Sequence, residues 1–233
     1  MQLTVDFFLD GKVHPYCGGS LITAQHVLSA AHCYWTNENL YGVCPQEFLL
    51  MSAQDCNLRR CPDSCTRLGP EDIRLHLGVT RRTDVIPNSG MEVESILIHP
   101  KWDKKDPLND IFAGHDIALL KMKREVSSYN SRVVPICLPN PVSDRYLLNE
   151  DRVVDVTGFG IIATRSGSRN FPNIVQTARV SIMDRNDCGS FWPLMKGNQI
   201  CAIGTRLVTS SGSNNAELVA DSCNGDSGGP LGY

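Results

Sequence analysis

Ser227 lies in Asp221-Ser-Cys-Asn-Gly-Asp-Ser-Gly-Gly-Pro-Leu231, with glycines at 225, 228 and 229 around it. A serine hydroxyl is a weak nucleophile until a base takes its proton and donors hold the oxyanion that forms. The flanking glycines permit a tight turn, which can aim the amides of Gly225 and Ser227 at one point in space. Such a segment also reads as an ordinary Gly-rich turn, so a base and an orienting group must be sought elsewhere. Among six histidines, His32 is distinguished by its setting, Leu28-Ser-Ala-Ala-His-Cys33, where small residues allow close packing. Asp116 opens the apolar run Asp-Ile-Ala-Leu-Leu. A carboxylate against an apolar run needs a hydrogen-bond donor, because an unpaired buried charge is very costly. An imidazole N–H suits it, and would fix the tautomer of His32. Asp103, Asp106 and Asp110 stand in polar, loop-like sequence and read as solvated charges.

The elements that must position these residues are short strands. Leu3, Val5, Phe7 and Leu9 alternate with other residues, Asp10-Gly11 supplies a turn, and an extended run begins again at Val13. Ile73, Leu75 and Leu77 alternate likewise, Asp116–Met122 reads as a buried strand, and Val175–Met183 as another. Helical periodicity is confined to single turns near Ala30–Cys33 and Arg185–Cys188. Many short strands between Gly and Pro turns predict an all-β barrel or sandwich. Tyr34–Asp72 reads as a long, disulfide-pinned insertion, and Thr164–Asn173 as a polar, mobile loop open to proteolysis.

Bulk composition narrows the function classes. Hydrophobic residues make up 42% of the 233 and charged residues 20%, enough to bury a core. A net charge of −3 predicts no nucleic-acid partner, and no apolar run is long enough to span a bilayer. Ten cysteines without a C-x2-C pair favour disulfides in an oxidising compartment over metal sites. Met1–Lys12 lacks a basic n-region and is not a signal peptide, so a missing N-terminal segment is expected.

Taken together, A-A-H-C, D-I-A-L-L and D-S-C-N-G-D-S-G-G-P-L, in that order, resemble the chymotrypsin/trypsin family of serine proteases. The resemblance implies a peptidase S1-type domain over 1–233, folded as two antiparallel Greek-key β-barrels. The first would cover about 1–125, with the insertion at 34–72, and the second about 126–233. It implies Ser227 as nucleophile, His32 as base and then acid, Asp116 as orienter, and the amides of Gly225 and Ser227 as oxyanion hole. Asp221 matches the floor of the specificity pocket, implying protein or peptide substrates with Arg or Lys before the scissile bond. Asp226 matches the partner of an activating α-amino group. Cys17–Cys33 and Cys188–Cys201 are the implied bridges. Cys137 resembles the cysteine that ties such domains to a pro-segment, and Cys223 one that pairs downstream. Cys44, Cys56, Cys61 and Cys65 could pair in three ways. Val154 stands near the place of one family cysteine, so that bridge is expected to be missing.

The sequence departs from the family at both ends. Met1-Gln-Leu-Thr resembles the segment after the family's activating Ile/Val-x-Gly-Gly, and Tyr233 follows Ser227 by six residues. The second barrel is therefore expected to lack its last strands and C-terminal helix, and the 233 residues to be an inactive fragment of a secreted, zymogen-derived endopeptidase. The alternative is a non-catalytic homologue acting as a binding or regulatory module. No cofactor and no metal are expected; Gly78–Pro87 has one acidic residue, too few for a calcium loop.

Overall fold

The computed structural model describes residues 3–9, 12–37, 65–86, 89–102, 114–140, 152–163, 169–191, 197–207, 218–222 and 225–232. Its first half carries β1 (Leu3–Leu9), β2 (Lys12–Leu21), β3 (His26–Ser29), β4 (Trp35–Asn37), β5 (Cys65–Arg67), β6 (Ile73–Leu77), β7 (Met91–Ile98) and β8 (Ala118–Met122). Six of these close an antiparallel barrel in the order β1-β2-β3-β8-β7-β6, with β1 sealing it against β6. The chain runs β1-β2-β3, crosses to β6, and returns through β7 so that β8 lies beside β3. This is a Greek-key path. Leu9 pairs with Lys12 across the expected Asp10-Gly11 turn, whose own residues lie outside the described ones.

Period-two patterning explains the barrel interior. Along β8 the burial alternates, with Ala118, Leu120 and Met122 inside. Leu21, Val27, Tyr34, Leu68, Ile73, Leu75 and Val93 join them in one cluster. Fully burying each large aliphatic side chain contributes roughly 1.5–3 kcal/mol.

The second half holds β9 (Val153–Gly158), β10 (Ile162–Ala163), β11 (Arg169–Asn170), β12 (Gln176–Ile182), α1 (Arg185–Phe191), β13 (Ala202–Leu207), β14 (Leu218–Ala220) and β15 (Leu231–Gly232). Among the described residues β14-β13-β12-β9-β15 form an open five-stranded sheet, and β10 pairs with β11. Among the described residues its buried cluster is Val154, Val180 and Ile182, smaller than that of the first barrel.

Three sequence expectations change in detail. Asp116 and Ile117 precede the strand, which begins at Ala118. Asp116 instead sits in a three-residue turn, where the Ile117 N–H donates to the His115 carbonyl at 2.8 Å. The ends of the Tyr34–Asp72 segment are regular: β4 pairs with β5, Tyr34 and Leu68 are core residues, and Pro70–Asp72 is a 3-10 turn. Cys44, Cys56 and Cys61 lie outside the described residues, as does Cys223. Of the expected mobile loop Thr164–Asn173, residues 169–173 are ordered by pairing and hydrogen bonds; 164–168 lie outside the described residues.

Candidate functional site

His32 sits on a 3-10 turn, Ala31–Tyr34, directly after β3. Its neighbours Ala31, Cys33 and Tyr34 are buried and anchor the turn, leaving the half-buried imidazole at the surface. The Cys33–Cys17 disulfide ties the turn to β2 across a Cα–Cα distance of 6.2 Å. Burial also raises the Tyr34 hydroxyl far above its ordinary pKa, so it stays neutral inside the barrel.

Asp116 meets His32 twice. The His32 backbone N–H donates to Oδ1 at 2.8 Å, and Nδ1 lies 2.7 Å from Oδ2. An ionised carboxylate can only accept, so the proton of the neutral imidazole must sit on Nδ1. Nε2 then carries the free lone pair. With one carboxylate oxygen on the backbone and the other on the ring, Asp116 fixes both the position and the tautomer of His32.

Ser227 is brought to the same place by its own backbone. The Gly18 N–H donates to the Ser227 carbonyl at 2.6 Å, and Cys33 Sγ lies 3.9 Å from that oxygen. The Ser227 segment and the His32 turn thus dock on one stretch, Cys17-Gly18. Asp226–Gly229 is a β-turn closed by the Gly229 N–H on the Asp226 carbonyl at 2.9 Å. Gly228, its third residue, has φ +77°, the value a type II turn demands there. A Cβ at Gly228 would collide with Ser29 Oγ, the Gly18 carbonyl and the Ala30 N–H.

Gly225 has φ +101°, open to glycine and strained for other residues. Its Cα is walled by Phe171 and Gly160, at 3.0 and 3.1 Å from where a Cβ would stand. Asp226 turns its carboxylate into the Thr157-Gly-Phe-Gly160 segment, where Oδ1 accepts the Gly160 N–H at 2.8 Å. Side chains at Gly158 or Gly160 would overlap that carboxylate. Gly158, Gly160 and Phe171 are therefore site residues that the sequence reading did not single out. The alternate glycines of Gly-Phe-Gly were the available signal.

Asp221 is exposed after β14; its Oδ2 accepts the Gly204 N–H at 3.0 Å and its Oδ1 the Ser222 N–H at 2.7 Å. It lines a small cavity with Asp226, Val156, Gly158, Ile162 and Ala178. Cys188–Cys201 ties α1 to the residue before β13. Cys137 is exposed with a free thiol, on the rim of a groove that also touches Asp116. Cys17, His32 and Cys33 bring potential ligand atoms within 4.8 Å of one another. The two sulfurs are bonded to each other, so that trio offers no thiolate to a metal.

Known proteins resemble this chain along nearly its whole length. The family model described as Trypsin matches residues 2–47 and 41–232. The CLIP domain-containing serine protease B10 of Anopheles gambiae is 31% identical over 222 residues, covering 92% of this chain and 49% of that protein. Serine protease grass of Drosophila melanogaster is 29% identical over 228 residues, covering 95% of this chain and 48% of its own length. Vitamin K-dependent protein C of Rattus norvegicus is 28% identical over 228 residues, 96% of this chain and 38% of its own. The chain thus spans about half the length, or less, of these relatives. With its closed first barrel, its His32–Asp116 pair beside the Ser227 turn, and a match along nearly its whole length, the chain belongs to the trypsin family of serine proteases.

Proposed function

We propose that this chain is the catalytic unit of a secreted serine endopeptidase that cleaves after Arg or Lys through an acyl-enzyme. The observation that carries the reading is the double hydrogen bond from His32 to Asp116, next to a Ser227 turn docked on the same strand. Ser227 Oγ attacks the scissile carbonyl carbon while His32 Nε2 takes its proton. His32 then gives that proton to the leaving amine, and water repeats the cycle in reverse to free the acid and restore Ser227. Asp116 stays ionised and stabilises the imidazolium. The amides of Gly225 and Ser227 hold the oxyanion, worth about 10²–10³ in rate for a single donor.

Asp221 supplies the charge that selects a basic side chain. Asp226 receives an α-amino group released by cleavage, a switch that orders the Gly225–Ser227 turn. Both carboxylates line one cavity, which supports a shared region for substrate charge and activation. Cys137 links the unit to a pro-segment, a reading supported by its exposed thiol and by the CLIP domain in the name of the Anopheles relative.

Digestion of a mixed peptide library by the complete natural protein, after proteolytic activation, tests the proposal. New C-termini should be Arg or Lys, and Asp221→Ser should abolish that bias. Cleavage without such bias would remove the specificity reading, and no cleavage would favour a non-catalytic homologue.

A further inference from the structure

Gly225 has no side chain to anchor it, and its φ of +101° lies in a region where glycine moves freely. An oxyanion donor is useful only if held in advance within about 2.7–3.1 Å of the oxygen it will stabilise. Rigidity at Gly225 must therefore come from its walls. One wall is Gly160, fixed through the Asp226 carboxylate. The other is the edge of the Phe171 ring.

Phe171 is held in turn from the first barrel. The Arg82 guanidinium lies 5.0 Å from the centroid of the Phe171 ring, within cation–π range. The Arg82 N–H donates to the Asn173 carbonyl at 2.8 Å, and the Thr83 N–H to Asn173 Oδ1 at 3.1 Å. The Val175 N–H donates to the Thr80 carbonyl at 3.0 Å, and Arg81 bridges Ile174. Residues 80–83, between β6 and β7, thus grip residues 171–175 just before β12. The grip crosses from one half of the molecule to the other and ends against Gly225.

We infer that Arg82 and Phe171 are positioning residues for the Gly225 oxyanion donor, clamping its backbone from the first barrel. The inference rests on the proposed catalytic role of Gly225. It predicts that loosening the clamp slows the chemical step without weakening encounter with the reagent. Phe171 and Arg82 touch neither His32 nor Asp116 among the described contacts, so the base is left intact.

The test uses the complete natural protein after proteolytic activation and an uncharged alkyl fluorophosphonate, whose attack by serine builds charge on a phosphoryl oxygen. The saturating labelling rate and the half-saturating concentration are measured separately, alongside hydrogen exchange of the peptide spanning 218–232. Phe171→Ala should lower the saturating rate about ten-fold with half-saturation within about two-fold, and Phe171→Tyr should restore it. Arg82→Met should lower it about three-fold, and Arg82→Lys, which keeps a cation, should recover most of the loss. Exchange at the 225–229 amides should rise about ten-fold in Phe171→Ala. An unchanged saturating rate in Phe171→Ala, or unchanged exchange at 225–229, overturns the inference. If the unsubstituted protein takes no label, the catalytic proposal fails, while the exchange measurement still decides whether the clamp holds Gly225.

Discussion

Replacing Asp116 by Asn keeps the size of the side chain but reverses one of its two hydrogen bonds. The His32 backbone N–H, which donates to Oδ1 at 2.8 Å, still requires an acceptor, so the amide oxygen must face it. The amide NH2 is then turned toward Nδ1, which now sits 2.7 Å from Oδ2. A donor facing Nδ1 makes that nitrogen the acceptor and moves the imidazole proton to Nε2, the atom that should take the Ser227 proton. The base is lost by tautomer, with its position kept. The corresponding loss in the serine-protease template is about 10⁴-fold, or roughly 5.5 kcal/mol of transition-state stabilisation. Folding stability should barely change, because both contacts persist as hydrogen bonds. Asp116→Ala instead leaves the backbone N–H unpaired, costing about 1–3 kcal/mol, which lowers Tm by roughly 2–12 °C at this size. The assay is the labelling rate of Ser227 in the activated, complete protein, paired with thermal unfolding of each variant. An Asn variant within ten-fold of the unsubstituted rate, or one that melts like the Ala variant, would refute the tautomer reasoning.

Three further outcomes are expected. Gly228→Ala imposes a left-handed backbone on an L-residue, about 1–2 kcal/mol. It also drives a Cβ to 2.6 Å from the Gly18 carbonyl and 2.9 Å from the Ala30 N–H, so calorimetry should show a Tm lower by roughly 5–12 °C with Ser227 labelling lost. Removing the Cys17–Cys33 bridge by Cys17→Ala with Cys33→Ala frees a loop whose ends are 16 residues apart. Denaturant titration should show about 3 kcal/mol less stability, and slower labelling as the His32 turn loosens. Burial holds the His76 imidazole below its ordinary pKa of 6.5 in the folded chain. The unfolded chain then binds more protons as pH falls through 6.5, so this contribution to stability is present above that pH and lost below it. His76→Leu should flatten the acid limb of a stability–pH curve, measured by urea unfolding between about pH 7.5 and pH 5.

Much of the site could be read before any fold was known, and the reasons are local. His32, Asp116 and Ser227 each sit in a short segment whose neighbours reveal their setting: small residues before His32, an apolar run after Asp116, glycines around Ser227. The strands β1, β6 and β12 follow from alternation along the sequence, and in β6 and β12 the apolar face is the buried one. Phe171 and Gly160 were not legible, because their roles depend on which distant backbone they touch. Phe171 falls at the end of a segment, Thr164–Asn173, whose composition reads as a polar loop, and hydrogen bonds to residues 80–83, some ninety positions earlier, are what hold Asn173 and Val175 in place. β8 begins at Ala118, two residues after the apolar patterning suggests, for a related reason. The charge of Asp116 and its pairing with His32 favour a turn where apolar patterning alone suggests strand. The ends of the Tyr34–Asp72 segment read as loop by composition, although Tyr34 and Leu68 enter the barrel core, where tertiary packing outweighs the turn-rich sequence between them.

The central claim is that Ser227, armed by His32 and Asp116, is a working nucleophile. Mass-spectrometric mapping of a fluorophosphonate adduct on the activated, complete protein measures this most directly. One adduct on the Ser227 peptide is expected, absent in Ser227→Ala and strongly reduced in His32→Ala. No adduct, or one that persists in Ser227→Ala, would contradict it.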